Sequence, residues 1–492
     1  MLVKNENTQG MKHMIIILSV ALFASSYLSA QNEEDALRYS RQFITGTAKS
    51  VGMGGAMGAI GGDFTSLSIN PAGIGVYRRS EFTISPSLNW NSTSSDFLNQ
   101  KIEQTRYGMK IGNIGYVVTK NYDKEKGLVS TNFGFGYNQL NNFNQQILMS
   151  GTNNSSSLLD NFTNRYNNTS VNIDDFYERL AYDLYLVDWD SAASKYFNDF
   201  ESGYGQFQQR RVRTSGSIGE YAFSMGANYS HKIYVGATFG IQRVRYERSI
   251  EHTETDQNHN INYTEEFVFN EDLVTRGYGL NMKFGVIARP LDFIRLGAAF
   301  HIPTFYFLND HFTTDMQAWY DPSLNIASKT AESPIGNFDY RLKTPSKFVG
   351  SAAVTIGKLG LLSVDYERIN YSNSNLEGDN YGFISENTAI KDNFKASNNL
   401  RMGAELRLGP GYLRGGYAIY GSPFKIVDPK ADSKYSIISG GIGIRNNNFF
   451  TDLSYAYGIS REAYYMYVPE MITGSINKSN LNNVIMTVGF RF

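Results

Sequence analysis

Two stretches of this 492-residue sequence contain residue types that could do chemistry. The first is glycine-rich: six of the eleven residues from Gly52 to Gly62 are glycine, and Asn70-Pro71-Ala72-Gly73 follow. A glycine-rich turn can hold a phosphate against backbone N–H groups, but it does so between a strand and a helix of a βαβ unit. No strand pattern precedes Gly52, so a dinucleotide loop is a poor interpretation. Close packing of backbone against backbone fits the run better, because glycine has no side chain to clash.

The second stretch is Glu251-His252-Thr253-Glu254-Thr255-Asp256, with His259 close behind. Imidazole and carboxylate groups bind divalent ions, although a cluster of this kind is more often simply solvated in a loop. The chain has six histidines and no cysteine, and no Gly-x-Ser-x-Gly elbow frames a serine. We therefore predict no catalytic site, no cofactor and no metal centre.

The composition of the whole chain favours a barrel in a bacterial outer membrane. Tyr, Phe and Gly are abundant, at 34, 32 and 46 residues, whereas the formal net charge is only −1. In such barrels half of each strand faces a polar interior, and aromatic residues gather at the two membrane interfaces. A near-neutral chain gives no indication of nucleic-acid binding. The absence of cysteine excludes a disulfide framework.

The first 30 residues have the pattern of a signal peptide. Lys12 and His13 precede an apolar core, and Leu28-Ser29-Ala30 is a suitable cleavage site. The apolar core, roughly Met14 to Phe23, is too short to span a bilayer as a helix. We expect the mature chain to begin near Gln31.

Strand-like alternation recurs through the rest of the sequence. In LRMGAELRL, for example, the apolar residues from Leu400 to Leu408 alternate with Arg401, Gly403, Glu405 and Arg407. An even strand number is what a bacterial single-chain barrel requires. Fourteen such segments are predicted at 81–92, 107–120, 128–143, 217–231, 232–250, 276–290, 292–307, 341–357, 359–372, 397–408, 411–421, 434–446, 448–460 and 481–492.

The connections between these segments alternate in length. Very short ones, such as Gly409-Pro410-Gly411, alternate with long ones, of which 144–216 is the largest. Outer-membrane barrels have short periplasmic turns and long external loops. The pattern predicts that both termini are periplasmic. The spacing of apolar residues over Asn172 to Phe200 predicts short helices that cap the outside of the barrel.

Alternation also assigns the charged residues to faces. Carboxylates at Asp365, Glu367 and Glu405 are expected to form ion pairs with arginines inside the barrel, and one of these arginines could instead receive an anionic ligand. The arginines predicted to point inward are Arg243, Arg295, Arg401, Arg407 and Arg414.

Several motifs resemble those of the FadL family of outer-membrane transporters for long-chain fatty acids and other hydrophobic compounds. They are the glycine-rich lead into Asn70-Pro71-Ala72-Gly73, Leu342-Lys343-Thr344-Pro345, Val364-Asp365-Tyr366 and Arg414-Gly415-Gly416-Tyr417. The resemblance covers nearly the whole mature chain. It implies an all-β, 14-stranded transmembrane antiparallel barrel at 81–492, plugged by an N-terminal luminal hatch at 31–80. The chain ends in VIMTVGFRF, and a terminal strand ending in Phe492 resembles the signal read by the barrel-assembly machinery.

The resemblance also implies a mechanism of passive uptake. A hydrophobic ligand is caught among the external loops, passes to a site near the hatch turn at Asn70 to Gly73, and leaves sideways into outer-membrane lipid through a gap at a kinked strand. The third strand, which contains Gly134 and Gly136, is the family's place for the gap. Loop residues that could form the capture groove, or could merely hold the cap together, include Phe176, Tyr177, Leu180, Leu184, Tyr185, Leu186 and Trp189.

Two other functions remain open. FadL-like barrels also serve as structural partners in outer-membrane secretion or assembly complexes. Hemin uptake would require an axial histidine or tyrosine, which the composition permits without favouring it. The sequence does not identify the ligand.

Overall fold

The computed structural model describes residues 33–168, 173–426 and 432–492. The predicted signal peptide lies outside these ranges. No helix in the described ranges has the length and hydropathy needed to cross a membrane.

The described chain forms a closed antiparallel barrel of fourteen strands, which confirms the predicted fold class. The last strand pairs with the first from Glu81↔Arg491 to Asp96↔Ile476, and this pairing closes the wall. Several wall strands consist of two or three consecutive segments. The segments are β1 Glu81–Phe97, β2 Gln100–Asn121, β3 Leu128–Asn142, β4 Gln145–Asn153, β5 Val187–Asp190, β6 Lys195–Asn198, β7 Gln206–Tyr229, β8 Ile233–Thr255, β9 Thr264–Leu291, β10 Ile294–His301, β11 Phe305–Tyr320, β12 Lys329–Glu332, β13 Gly336–Lys343, β14 Lys347–Ile356, β15 Gly360–Asn370, β16 Asn375–Glu377, β17 Ala396–Leu408, β18 Gly411–Tyr420, β19 Tyr435–Arg445, β20 Phe449–Tyr464 and β21 Ser475–Arg491. Of the strands in the described ranges, only β5 and β6 lie outside the wall, as a separate hairpin.

Helices occur inside the barrel and in the connections at one end of it. They are α1 Glu33–Ser40, α2 Ala48–Gly52, α3 Leu158–Asn168, α4 Glu178–Asp183 and α5 Ile384–Asn393, with 3₁₀ helices at Phe64–Ser68, Pro71–Val76, Asp199–Ser202, Pro322–Leu324 and Tyr371–Asn373. We call the end of the barrel with the long connections the long-loop end, and the opposite end the short-turn end.

All fourteen predicted segments are strands, but many extend further toward the long-loop end. β7 begins at Gln206 rather than 217, and β9 begins at Thr264 rather than 276. The predicted loops at 144–216 and 251–275 are therefore too long. Beyond the apolar belt the outward face no longer needs apolar residues, so the alternation weakens in the sequence while backbone pairing continues.

The outer face of the wall is apolar and its inner face is polar. On β17, Met402 and Leu406 are exposed whereas Arg401 and Glu405 are buried. Exposed aliphatic and aromatic residues form a belt around the barrel, as a membrane-facing surface requires.

The prediction that Arg243 points inward is wrong, since this residue is exposed between buried Gln242 and Val244. A shift of one residue reverses the face of a strand position.

Residues 33–80, which we call the hatch, lie inside the barrel. The hatch backbone approaches the wall closely because both sides are glycine at the contact. Gly54 has φ +62°, and a Cβ there would lie 2.7 Å from Met402 O. Gly403 and Gly416 of the wall face Met53 and Gly54 of the hatch. The glycine-rich run therefore packs backbone against backbone.

Deletion of residues 46–75 should leave an assembled barrel, because the hydrogen bonds of the wall run between neighbouring strands and not through the hatch. Heat-dependent migration of the unboiled protein on a denaturing gel measures assembly. Deletion of β21 is the control, since it removes both seams that close the wall and should abolish assembly. Loss of assembly in the 46–75 deletion would contradict the independence of wall and hatch.

Candidate functional site

A cavity of about 460 Å³ lies in the barrel between the hatch and the long-loop end. Its volume is within the range of small-molecule sites. Apolar side chains from the hatch, including Leu37, Phe43 and Ile44, face Ile437 and Leu481 of the wall. Asparagines from β1 and β3 line another side. We call this space the upper cavity.

The first helix of the hatch lines the upper cavity close to the long-loop end. Three acidic residues occupy the first turn of α1, where they complement the positive end of the helix dipole. Tyr39 packs edge-on against Tyr246, with 6.3 Å between ring centroids. Glu33 accepts a hydrogen bond of 3.3 Å from Asn393 of α5. The N terminus itself precedes Glu33 and lies outside the described residues, so its periplasmic position stays a prediction.

The wall beside the upper cavity contains a break in its backbone hydrogen bonding. β2 pairs with β3 from Asn121↔Ser130 to Asn113↔Asn138. Farther toward the long-loop end, within the described residues, 100–112 of β2 pair only with β1, and 139–153 of β3 and β4 pair only with β7. We call this interval between 100–112 and 139–153 the wall break.

Local irregularities at the lower end of the wall break explain where it begins. Gly112 lies at a register shift opposite Ser85 and Pro86, and a Cβ on Gly112 would lie 2.6 Å from Gly46 O of the hatch. β3 has its own register shift between Gln139 and Asn141. Bulges of this kind bend a strand away from its neighbour.

Side chains close the wall break in place of backbone bonds. Lys110 Nζ donates to Gly216 O at 2.6 Å and also to Asn142 Oδ1. Asn144 Nδ2 donates to Tyr107 O at 3.0 Å, and Gln146 Nε2 donates to Gln104 Oε1 at 3.1 Å. Such bonds can be exchanged by side-chain rotation, whereas a backbone ladder opens only by strand displacement.

The wall break and the upper cavity share residues. Asn89 and Asn141 to Gln145 line the cavity, and Asn142 Nδ2 also donates to Asn89 Oδ1 at 3.0 Å. A molecule in the cavity is therefore separated from the outside of the barrel by side chains of the break. Gly134 and Gly136, named from the resemblance, lie instead in the continuous ladder with Val117 and Gly115. A Cβ on Gly134 would contact Ile74 and Leu67 of the hatch.

The predicted hatch turn anchors the floor beneath the cavity. Asn70 Oδ1 accepts from Ala72 N at 3.1 Å, and Asn70 Nδ2 donates to Gly58 O at 2.7 Å and to Val286 O of the wall. Pro71 begins the 3₁₀ helix, and Gly73 O accepts from Gly62 N at 3.0 Å. These residues hold the hatch in place rather than lining the upper cavity.

The predicted luminal arginines form contacts within the protein. Arg401 lies 3.4 Å from Glu367, and Arg414 lies 2.9 Å from Glu405. Arg407 also contacts Glu405, at 3.2 Å. Arg401 is 3.9 Å from Asp365, whose carboxylate accepts from Gly58 N of the hatch. Arg295 Nη1 donates to Ile60 O at 2.8 Å. Asp365 and Arg295 therefore attach the hatch to the wall, whereas Arg407 and Arg414 bind a carboxylate of the wall itself.

The predicted capture residues do not form one open groove. Leu180 and Leu184 are buried in a hydrophobic core formed by the long connections and the neighbouring strand ends. Phe176 is half-buried, 5.5 Å from the ring of Phe312. Trp189 is 45% exposed and packs on Tyr196 of the β5–β6 hairpin.

Within the described part of the range predicted to be helical, 173–200, helical structure is confined to the six-residue α4 and the start of the 3₁₀ helix Asp199–Ser202, and the β5–β6 hairpin lies between them. Asp190 favours the turn, because its carboxylate accepts from Ala192 N at 2.8 Å.

The His252 cluster is structural. His252 and Glu254 are fully buried on β8 rather than solvated in a loop, with His252 Nε2 2.9 Å from Glu254 Oε1. Glu254 also accepts from Gln208 Nε2 at 2.9 Å. In the described ranges, no group of three or more metal-ligating side chains comes together.

Solved structures share this architecture. A FadL homologue from Pseudomonas aeruginosa is 11% identical, with a TM-score of 0.55 over 92% of this chain and 100% of that chain. The toluene transporter TodX from Pseudomonas putida is 12% identical, with a TM-score of 0.51 over 91% of this chain and 99% of that one. At these identities the similarity shows the fold alone, and it confirms the FadL-type fold. No family model and no curated protein matches the sequence.

The substitution Lys110→Met should loosen the wall break, because it removes two hydrogen bonds that cross it. Backbone amides of 139–146 should exchange with deuterium about thirtyfold faster, as expected from losing two bonds of roughly 1 kcal/mol each. Lys120→Met, on the same strand where the ladder to β3 is intact, is the matched control and should leave this segment unchanged. Equal exchange in both variants would show that Lys110 does not close the break.

Proposed function

We propose that this protein is an outer-membrane transporter for passive uptake of hydrophobic small molecules, with long-chain fatty acids among its substrates. The ligand enters from the long-loop end, occupies the upper cavity and leaves through the wall break into the surrounding lipid. The observation that carries this proposal is the position of the cavity directly beside the one interval where β2 and its neighbour lack backbone pairing in the described chain.

The lateral route follows from the physics of a hydrophobic ligand. Transfer of apolar surface from water to hydrocarbon is favourable by about 25 cal/mol per Å², so movement from the cavity into lipid needs no energy source. The straight route toward the short-turn end is obstructed by the hatch, whose backbone packs on the wall at Gly403 and Gly416. A sideways exit also keeps the ligand away from the polar lower lumen.

Several observations support the outer-membrane location and the ligand class. The exposed apolar belt suits lipid, and the pattern of a signal peptide in the first 30 residues suits export. On this proposal the short-turn end, where β21 ends, is periplasmic. TodX, which has the same fold, is described as a toluene transporter.

Cross-linking the wall break should stop uptake. The chain has no native cysteine, so Gln104→Cys with Gln146→Cys introduces a single reactive pair, whose parent side chains touch across the break. A short bifunctional thiol reagent should reduce the initial uptake of radiolabelled oleate by expressing cells to that of cells lacking the protein. Reduction of the cross-link should restore it.

The matched control is Ser92→Cys with Thr105→Cys, on the adjacent seam between β1 and β2, where the backbone is already paired. Cross-linking this pair should not change uptake. If the break is cross-linked to completion and oleate still enters at the full rate, the lateral route is wrong. If neither pair affects uptake and the unmodified protein gives none, the transport proposal itself is wrong.

The compact external core favours a second candidate, in which the barrel is a structural partner in an outer-membrane complex. Leu180 and Leu184 pack in the interior of the cap and are not available to line a groove. The cap would then present a compact surface to a partner protein. This candidate predicts a stoichiometric protein partner that stays bound during gentle extraction and is lost when the exposed hairpin at 187–198 is replaced.

A further inference from the structure

A second cavity, of about 230 Å³, lies beneath the hatch near the short-turn end. Its lining includes Lys49 from α2 and Arg295 and Arg407 from the wall, and no aspartate or glutamate is among its lining residues. Ile60 and Leu361 add apolar side chains to the lining. We call this space the lower cavity. It is separate from the upper cavity, because the two share no lining residue.

Lys49 is unusual among the cations of the lumen. It is 7% exposed, and its ammonium makes no ion pair or hydrogen bond within the described ranges. Glu405 and Asp63 attract Lys49 electrostatically, but neither forms a direct ion pair with it. Asp63 instead accepts from Thr47 Oγ1 at 2.8 Å and Thr65 N at 2.9 Å, and Glu405 pairs with two arginines. A buried ammonium without a direct contact to an anion is costly even when carboxylates lie nearby, and an anion in the cavity would offset part of that cost.

The two arginines leave donors for the same anion. Arg295 uses Nη1 on Ile60 O, while its buried Nε has no hydrogen-bond partner in the described part of the chain. Arg407 contacts Glu405 through Nε and keeps about a third of its side chain exposed. Guanidinium and ammonium groups converging on one space form a site for an oxyanion.

We propose that the lower cavity binds a small organic carboxylate. The three cations would hold the carboxylate, and the short apolar part would lie against Ile60 and Leu361. Because Lys49 and Ile60 belong to the hatch while Arg295 and Arg407 belong to the wall, the bound anion would fasten the hatch to the wall from its lower side. This site goes beyond the transport proposal, since it lies on the opposite side of the hatch from the upper cavity.

Chemical modification of Lys49 gives a local measurement of binding. Burial, together with nearby Arg445, lowers the pKa of Lys49 to about 8, and the other charged groups around it are Glu405, Asp63 and Arg414. A fraction of the amine is therefore neutral at pH 8 and can be methylated by formaldehyde with a borane reductant. The experiment uses the full-length mature protein in a non-ionic detergent, with mass spectrometry to follow each lysine.

Sodium butyrate is the probe, and 1-butanol is its uncharged counterpart. At ten times its dissociation constant, butyrate should slow methylation of Lys49 about tenfold by mass action. Lys358, exposed on a turn at the same end of the barrel, is the internal control and should be unaffected. An unchanged Lys49 rate in butyrate, or equal protection by butanol, would overturn the proposal.

Variants assign the protection to the lower cavity. Arg295→Met should raise the butyrate concentration needed for protection by about tenfold, the expected effect of losing a charged donor. Lys358→Met is the matched control and should behave as the parent. Arg407→Met, at a more exposed position, provides a second test if Arg295→Met fails to assemble. Parent-like protection in an assembled arginine variant would overturn the site. None of these readouts depends on oleate uptake, so the two proposals fail independently.

Discussion

The structure depends on the requirement that a barrel wall in lipid pair its own backbone N–H and C=O groups. Fourteen strands satisfy it through a nearly continuous antiparallel ladder that closes between β21 and β1. The wall break is a local departure from this rule. There, side chains such as Lys110, Asn144 and Gln146 supply hydrogen bonds that the ladder does not. A polar, side-chain-mediated seam is both costly in lipid and easier to open than a paired one, which makes it a natural position for an exit.

The closed wall also explains why the barrel contains a hatch. A lumen of this size must be filled without leaving charged groups unpaired, and the filling material here is the N-terminal chain. Glycines on both sides bring the hatch backbone onto the wall, and Asp365 receives a hatch N–H while it also lies near Arg401. The hatch thereby divides the interior into an upper cavity, lined by both apolar and polar side chains, that meets the wall break and a cationic lower cavity that does not.

The sequence predicted the features that depend on local pattern. The two-residue alternation of apolar and polar residues is visible in the sequence. It predicts the strand positions, the inward face of β17 and the ion pairs of Arg401, Arg407 and Arg414. The upper cavity was not predictable, because α1 meets Tyr246 and Asn393 only after the chain has folded around it. One local signal was available for the wall break: Asn141 to Asn144 interrupts the alternation of β3. The capping helices were overpredicted, since apolar spacing over a short stretch does not distinguish a helix from a hairpin.

The central claim is that the upper cavity holds a hydrophobic molecule on its way to the membrane. Native mass spectrometry of the protein, extracted gently from its own outer membrane, tests it most directly by reading small molecules and proteins together. We expect a stoichiometric apolar ligand, such as a fatty acid, and no bound protein. A stoichiometric protein partner with an empty barrel would contradict transport and identify the molecule as a component of a larger assembly.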